Sequence, residues 1–488
     1  MKKVLFILLG CLLSFNVMAQ VKAISGLVTD VTGEPVIGAS VVEVGTTNGV
    51  ITDLNGKFSL KVAPNSQFLV SYIGYKQQTI KVGSESTYNI VLKEDAEVLD
   101  EVVVVGYGSQ KKVNVTGAVG MVSAEALEAR PVANASQALQ GVVPGLNLTV
   151  GNNGGALDGT LNMNIRGAGT IGDGSGSSPL VLIDGIEGDL NTVNPNDIES
   201  VSVLKDAASA SIYGARASFG VILVTTKSGK SGKTNVSYSG SARFSDAIGI
   251  PDIMDSYTFA QYFNRASANK GGGDIFAPAV MERIKAYQEG TLKATTVDNG
   301  AGIWQKWANA NGNTDWFEEF YDHWAPSQEH NLSINGGTDK TQYLISGSFL
   351  DQKGLMRHGS DKFQRYTLNG KITTAVTDWF KVTYSTKWTR EDFERPTYLT
   401  GSFFHNLARK WPVHPAYDPN GFPMDEGEVE QMENGGKQNS QKDFYTNQLQ
   451  LVFEPIKNWK INLDGSVRTT TQYQHWEVLP VYAYNVDG

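Results

Sequence analysis

The second half of the chain alternates apolar and polar side chains over segments longer than the five or six residues of an average strand. The pattern is clearest at residues 380–388 and 459–473. Because neighbouring side chains of a strand point to opposite faces, this period predicts strands with one apolar and one polar face. The opposing sets are Phe380, Val382, Tyr384 and Trp388 against Lys381, Thr383, Ser385 and Lys387, and Trp459, Ile461, Leu463, Val467 and Tyr473 against Lys460, Asn462, Asp464, Ser466 and Arg468.

The connections between these segments alternate between short and long. A soluble sheet with one wet face has similar side-chain alternation. Short turns at one end and long loops at the other instead indicate an antiparallel outer-membrane barrel, with lipid outside and water inside. Tight turns are predicted at residues 336–341, 377–379 and 454–458, and long loops near residues 246–328, 351–362 and 391–443. The seven predicted strands are at about residues 234–244, 329–335, 342–350, 364–374, 380–390, 444–453 and 459–473.

A second informative block, residues 179–227, precedes the alternating half. Residues 180–183 and 221–226 are apolar runs short enough for buried strands, and residues 199–204 alternate like a third strand. Asn194 is a good cap for a short helix that begins at Pro195. The block is therefore predicted to be a small α+β unit.

The same block has a further helical turn, which Asp206 is predicted to open and Gly214 to close. Its sequence contains no nucleophile beside a base, no metal-ligand cluster and no phosphate-binding loop. A mechanical role therefore fits this block better than catalysis.

The first residues predict export. Lys2 and Lys3 precede an apolar run at residues 4–15, and Ala19 ends a stretch with small residues at the cleavage positions, which indicates a signal peptide at residues 1–19. A membrane anchor is the alternative, but this run is shorter than the roughly 20 residues that a spanning helix needs. Cys11 is the only cysteine of the chain, so the mature protein is predicted to have neither disulfides nor thiolate metal sites.

Residues 23–93 show short alternating runs separated by turn signals every 8 to 12 residues, which predicts a small β-sandwich. A charged linker follows at residues 94–112 and contains the run Val102, Val103, Val104 and Val105. Four consecutive β-branched residues favour an extended backbone that can add to the sheet edge of a partner. The alternative is that this run is the last strand of the sandwich.

Residues 179–227 closely resemble the plug domain of TonB-dependent outer-membrane transporters, in particular the SusC-like nutrient importers of Bacteroidetes (SusC/RagA family). The resemblance extends upstream through SQALQGVVPGLNLTV at residues 136–150 and NIRGAGT at residues 164–170. Residues 23–93 are similar to the carboxypeptidase regulatory-like, transthyretin-type sandwich that precedes the plug in many of these proteins. The resemblance implies a plug at residues 113–230 and barrel strands at residues 231–488.

The expected fold class is therefore mainly β: an N-terminal transthyretin-like β-sandwich, an α+β plug domain and a partial antiparallel transmembrane β-barrel. Seven strands are fewer than the about 22 of a barrel with a plugged lumen. We expect this chain to be a fragment, a truncated gene product or half of a split transporter.

The resemblance also implies functional residues. The TonB box is expected at Asp100, Glu101 and the four valines that follow. Charged plug positions are expected to form separable ion pairs with the barrel wall, although ordinary solvation or internal capping is the alternative. These plug positions are Arg166, Asp184, Lys205, Asp206 and Arg216.

Four tryptophans cluster in the first long loop, where their rings can stack on sugar faces or simply pack the loop or the surface of a partner. They are Trp304, Trp307, Trp316 and Trp324. The partners implied by the resemblance are the inner-membrane TonB complex, a SusD-like surface lipoprotein, outer-membrane lipid, and an oligosaccharide or peptide substrate. A passive surface-binding or adhesion protein is the alternative function.

Two sequence patterns resemble enzyme motifs, but the neighbouring residues that such motifs require are missing. Gly167, Gly169 and Gly172 match a dinucleotide-binding fingerprint, but a Gly/Ser-rich stretch follows where a helix is required. His323 and His330 have no third metal ligand nearby. We therefore expect no enzyme activity, no cofactor and no metal. Without Lys2 and Lys3 the net charge is −11, from 39 basic and 50 acidic residues, which argues against nucleic-acid binding.

Overall fold

The computed structural model describes residues 21–488, except residues 47, 65, 73–74, 94–101, 106–107, 112–117, 129, 131, 151–155, 168–177 and 458. The predicted signal peptide and the TonB-box residues Asp100 and Glu101 lie outside the described residues. The chain divides into two compact units, Met1–Thr116 and Gly117–Gly488.

Two sheets pack face to face in the first unit, which confirms the predicted sandwich. One sheet has the strand order β4-β1-β7 and the other the order β3-β2-β5-β6. The alternation of β4 buries Phe58, Leu60 and Val62 against Phe68 of the opposite sheet. The strands are β1 Lys22–Thr29, β2 Ser40–Glu43, β3 Gly49–Ile51, β4 Lys57–Val62, β5 Gln67–Ser71, β6 Gln78–Lys81 and β7 Thr87–Val91.

The backbone of the predicted TonB contact forms a hairpin. Strand β8, Val102–Val105, pairs antiparallel with β9, Gly108–Lys111. Within the described residues these two strands form a sheet of their own, so β8 belongs to neither sandwich sheet. The valine run is extended, but one of its two edges is already paired.

The plug is an α+β unit, as predicted, and its three predicted strands are present. Its main sheet has the order β10-β15-β16-β13-β14, while β11 and β12 pair separately. The strands are β10 Val119–Ser123, β11 Leu146–Val150, β12 Leu161–Ile165, β13 Leu180–Ile183, β14 Ile186–Glu187, β15 Ile198–Leu204 and β16 Val221–Thr226. The helices are α1 Ala124–Glu128, α2 Ala135–Leu139 and α3 Ala207–Ala210, with 3-10 turns at Leu190–Thr192, Pro195–Asp197 and Ser211–Ala217.

The predicted cap at Asn194 is confirmed, because its side chain accepts a hydrogen bond from the backbone N–H of Asn196 at 2.8 Å. Asp206 likewise caps α3 by accepting from the N–H of Ser209 at 2.7 Å. The prediction that Gly214 closes this helical turn is also confirmed. Gly214 has a φ of 66° and a ψ of −150°, outside the helical range, so it separates the turn that begins after Asp206 from a second 3-10 turn that ends at Ala217. Glycine takes this conformation without a steric penalty.

The second half forms one seven-stranded antiparallel sheet, the wall, whose strands follow one another in chain order. This confirms the predicted strands and tight turns. The strands are longer than predicted because their polar ends continue the pairing beyond the apolar band; β22, for example, begins at Lys437 rather than near residue 444. The strands are β17 Gly232–Ser245, β18 Ala325–Gly337, β19 Thr341–Lys353, β20 Lys362–Thr377, β21 Phe380–Pro396, β22 Lys437–Ile456 and β23 Trp459–Trp476.

The two faces of the wall differ as the alternation predicts. Tyr384, Leu449 and Leu463 are exposed on the outer, apolar face, whereas Ser385 and Gln448 are buried on the inner, polar face beside the plug. A polar inner face and an apolar outer face match a membrane wall.

The two longest loops contain helices, which were not expected from the sequence. Trp316 and Phe320 from one loop pack against Phe403, Leu407 and Met432 from the other, so both loops share one apolar core. No helix in the described part of the chain is long and apolar enough to cross a membrane. The loop helices are α4 Ser256–Asn269, α5 Pro278–Gln288, α6 Trp316–Phe320, α7 Gly401–Leu407 and α8 Val429–Asn434.

Candidate functional site

The turn between β13 and β14 places a carboxylate at the interface of plug and wall. Asp184 and Gly185 have φ values of 50° and 87°, as in the two-residue turns that Asp-Gly sequences favour. The carboxylate of Asp184 accepts hydrogen bonds from the backbone N–H of Thr226 at 2.9 Å and from its hydroxyl at 2.6 Å. Strand β16 therefore fixes the direction in which Asp184 points.

Three neighbouring wall strands contact this turn. Lys387 of β21 has its Nζ 2.5 Å from the Asp184 carboxylate, and Lys371 of β20 has its Nζ at 3.8 Å. Gln448 of β22 donates from Nε2 to the backbone oxygen of Asp184 at 2.9 Å. Burial alone would raise the pKa of Asp184, but the two ammonium groups outweigh it and hold this pKa below its ordinary value. The carboxylate is therefore ionised and bound to the wall.

A second contact binds the plug to the wall at the start of β15. Asp197 accepts from the hydroxyl of Ser346 at 2.6 Å and from the side-chain amide of Asn369 at 2.7 Å. The side-chain amide of Asn194 donates to that of Asn331 at 2.5 Å. Burial raises the pKa of Asp197, the opposite direction to Asp184. This contact depends on hydrogen bonds to neutral wall residues.

Two wall arginines also reach the plug backbone. Arg365, with 2% of its surface exposed, donates to the carbonyl oxygens of Asn191, at 3.1 Å, and Ala133. Arg468 donates to the carbonyl oxygen of Glu187 at 2.9 Å. These bonds are independent of the plug side chains and so could not be predicted from them.

The remaining charged plug candidates lie away from the wall contacts. Asp206 is a helix cap, and Arg216 forms an exposed ion pair with Glu187 of the plug at 2.9 Å. Arg166 is exposed and Lys205 is half-buried, and neither forms an ion pair with the wall among the described residues. Within the described ranges, Asp184 is the one of the five candidates with a side-chain ion pair to the wall, and the capping alternative describes Asp206.

The wall residues that hold Asp184 were not identified as site residues from the sequence. Lys387 was placed on the polar face of its strand, and this assignment is the signal that could have marked it. A lysine on the inner face of a barrel strand requires either water or a counter-charge, and the plug supplies the counter-charge. Nothing in the sequence around Asp184 or Lys387 indicates that these two residues pair with each other.

A polar cavity of about 500 Å³ separates plug and wall. Its wall residues Arg365, Glu391 and Lys442 lie in the strand halves that lead to the long loops. On the plug side it is lined by Asp158 and Asp189, among others. The cavity therefore opens among groups that can bind a polar ligand.

The four loop tryptophans have different environments. Trp316 is fully buried between Phe320 and His414, so its ring has no face open to a ligand and packs the loop instead. Trp307 stacks on His414, with ring centroids 4.6 Å apart. Trp304 is half-buried. Trp324 is 67% exposed and is the tryptophan best placed for contact with a ligand.

No group of three or more His, Cys, Asp or Glu side chains in the described residues is arranged to hold a metal ion.

Two family models match the first part of the chain. The model of the TonB-dependent Receptor Plug Domain matches residues 111–221, and that of the CarboxypepD_reg-like domain matches residues 24–104. The second match includes most of β8.

Two curated relatives are similar over most of the chain. The TonB-dependent receptor SusC of Bacteroides thetaiotaomicron is 36% identical over 377 residues, which are 75% of this chain and 33% of the relative. The TonB-dependent receptor P39 of Formosa agariphila is 32% identical over 414 residues, or 83% of this chain and 36% of the relative. The chain thus spans about a third of the length of these relatives.

Solved structures of the RagAB peptide importer have a similar fold. In its open-open state the match has a TM-score of 0.64 at 26% identity and covers 79% of this chain and 44% of that chain. In its closed-closed state the TM-score is 0.62 at 25% identity, with 76% and 43% covered.

Proposed function

Because the chain belongs to the SusC-like TonB-dependent receptors of the outer membrane, we propose that it forms the plug and part of the wall of an importer for nutrient oligomers. The observation that carries this proposal is the bond between Asp184 of the plug and the wall lysines. A plug held in place by a few polar contacts closes the pore at rest and separates from the wall under load.

The chemistry of the interface supports this gating role. Asp184, Asp197 and Arg365 make polar contacts that water can replace when the plug moves. Apolar packing between plug and wall in the described residues includes a small cluster in which Ala133 and Leu157 of the plug meet wall residues such as Phe393. An interface of this composition separates without exposing a large apolar surface.

The energy source is proposed to be TonB, bound through Asp100, Glu101 and the β8 valines. An outer membrane has no ATP of its own, so active import needs a mechanical connection to the inner membrane. Strand β8 is extended, and its edge opposite β9 is free of backbone pairing within the described residues. A TonB strand can add at that edge.

The substrate is proposed to be a glycan oligomer, with peptides as the second candidate, captured under a SusD-like surface lipoprotein. The cavity between plug and wall is lined by amide, carboxylate and cationic groups, which suit a hydroxyl-rich or zwitterionic oligomer. Trp324 offers an exposed ring for stacking. No catalytic residue is assigned in this proposal.

The deciding experiment removes residues 100–108 from the full-length receptor in its native host. If the chain is an importer, uptake of the oligomer is lost while surface binding persists. A passive binding or adhesion protein would show surface binding but no uptake, with or without residues 100–108, and a nonfunctional fragment would show neither binding nor uptake. As a matched pair, Val103→Pro blocks strand addition, whereas Val103→Thr retains β propensity and is expected to keep uptake.

A further inference from the structure

The first plug strand lies between the point where the chain enters the plug and the second wall contact. Strand β10 is at the edge of the plug sheet and pairs antiparallel with β15. In this register Val119 lies opposite Leu204, and Ser123 lies opposite Ser200. Ala118 directly precedes this strand, so a pull that reaches Ala118 along the chain is passed on to β10.

The carboxylate of Asp206 binds the backbone at the N-terminal end of β10. Asp206 accepts from the backbone N–H of Ala118 at 2.5 Å, and its other oxygen accepts from the N–H of Ser209 at 2.7 Å. The N–H of Lys205 donates to the carbonyl oxygen of Ala118 at 3.1 Å. These hydrogen bonds lower the pKa of Asp206, so the carboxylate is ionised and both of its oxygens accept.

The wall contact is at the opposite end of the strand pair. Asp197, which Ser346 and Asn369 of the wall bind, immediately precedes the first residue of β15. Because β10 and β15 are antiparallel, their N-terminal ends are at opposite ends of the pair. A pull at Ala118 against the contact at Asp197 therefore runs along both strands and loads their hydrogen bonds together in shear, rather than opening them one at a time.

We propose that the Asp206 carboxylate is a force clamp, a positioning residue that holds the start of β10 on the plug and sets how long the plug resists a pull. It transmits the load from Ala118 to α3 and β15, and through Asp197 to the wall. The proposal rests on the proposed function only for the source of the pull, since the contacts themselves are independent of TonB.

The test is constant-force spectroscopy of the full-length receptor in a lipid bilayer, with the handle attached through Ser109→Cys. Loss of a capping carboxylate removes about 1 kcal/mol, so D206A should shorten the dwell time before the first unfolding step about fivefold. D206N has one acceptor oxygen instead of two and should give an intermediate dwell time. The matched control is D189A, which removes a carboxylate that caps another plug turn by accepting from Asn191 at 2.9 Å.

Wild-type dwell times in both D206A and D206N would overturn the proposal, as would equal shortening in D206A and D189A, which would indicate general weakening of the plug. If D206A does not fold, D206N decides. The deletion of residues 100–108, read by uptake, tests the proposed import function separately from the proposed role of Asp206. Uptake that survives that deletion contradicts TonB-dependent import but leaves a shortened D206A dwell time intact, whereas lost uptake with an unchanged dwell time contradicts the clamp alone.

Discussion

Lys387 of the wall lies 2.5 Å from Asp184 of the plug, although 203 residues separate them in the chain. The side chain of Asp184 is only 7% exposed, and Lys371 is a second cation at 3.8 Å. A buried carboxylate with two ammonium partners remains ionised, so the plug is bound to the wall by charge at the point where the Asp-Gly turn meets it.

Replacing Lys387 by Met should loosen the plug. Removing one partner leaves a buried charge poorly compensated, which destabilises the closed state by about 3 kcal/mol. Single-channel recording of the full-length protein should show more frequent openings. D184N combined with K387M removes the charges of this pair but leaves Lys371 without its counter-charge, so it should restore only part of the closure. The exposed Arg216–Glu187 pair supplies the control, because R216M should change the stability by less than about 1 kcal/mol.

Acidification should destabilise the loop core through His414. Burial, together with the charge of Lys410, lowers the pKa of His414 to about 4. A histidine with a depressed folded-state pKa stabilises the fold above its ordinary pKa of about 6.5, and this contribution of about 3 kcal/mol disappears as the pH falls towards 4. Hydrogen exchange of α6 and α7 at pH 7.5, 6 and 5 should show progressive loss of protection, and H414N should flatten the profile.

His358 provides a control of opposite sign. Burial would lower its pKa, but Glu319 at 3.0 Å and Glu433 at 2.7 Å outweigh this effect and raise it. Its stabilising contribution is therefore complete below the ordinary histidine pKa and is lost as the pH rises through the folded-state value. If H358Q and H414N changed the pH profile in the same direction, these assignments would be wrong.

Leu449→Arg should impair membrane insertion, because Leu449 lies on the outer face and is 45% exposed there. A charged residue on the lipid face near the middle of the bilayer costs about 2–4 kcal/mol. Urea titration of the receptor in bilayers, read by heat-modifiable migration, should give a lower midpoint. Gln450→Arg, on the inner face of the same strand, should leave the midpoint close to that of the wild type.

Alanine variants of Trp324 and Trp316 should have different effects, because we expect the first side chain to contact a ligand and the second to stabilise the loops. W324A should weaken oligomer binding severalfold without a change in melting temperature, since its ring is 67% exposed. W316A removes a fully buried ring and should destabilise the protein by about 3–5 kcal/mol. Isothermal titration and differential scanning calorimetry on both variants measure the two effects. Unchanged oligomer affinity in W324A would exclude stacking at this position.

The wall strands were predictable because strand periodicity is local: Lys387 and Tyr384 reveal their faces from their immediate neighbours. The plug strands were predictable for the same reason, from short apolar runs such as Leu180–Ile183. The cap at Asn194 was also readable, since Pro195 follows it directly.

The contacts between distant segments were not predictable. Trp316 belongs to a five-residue helix whose burial depends on Phe403 and His414, about 90 to 100 residues later, so periodicity within the helix carries little signal. Asp184 was a candidate, but nothing in its own segment identifies Lys387 as its partner. Asp197 and Arg365 likewise acquire their roles only when plug and wall meet.

The common core of the two longest loops limits how receptors of this type can diversify. Phe320 packs edge-on against Phe403 with centroids 5.1 Å apart, so neither loop is complete without the other. Grafting a single loop from a relative would leave an unmatched hydrophobic surface facing the medium. A change of ligand preference between relatives should therefore require that both loops are exchanged together.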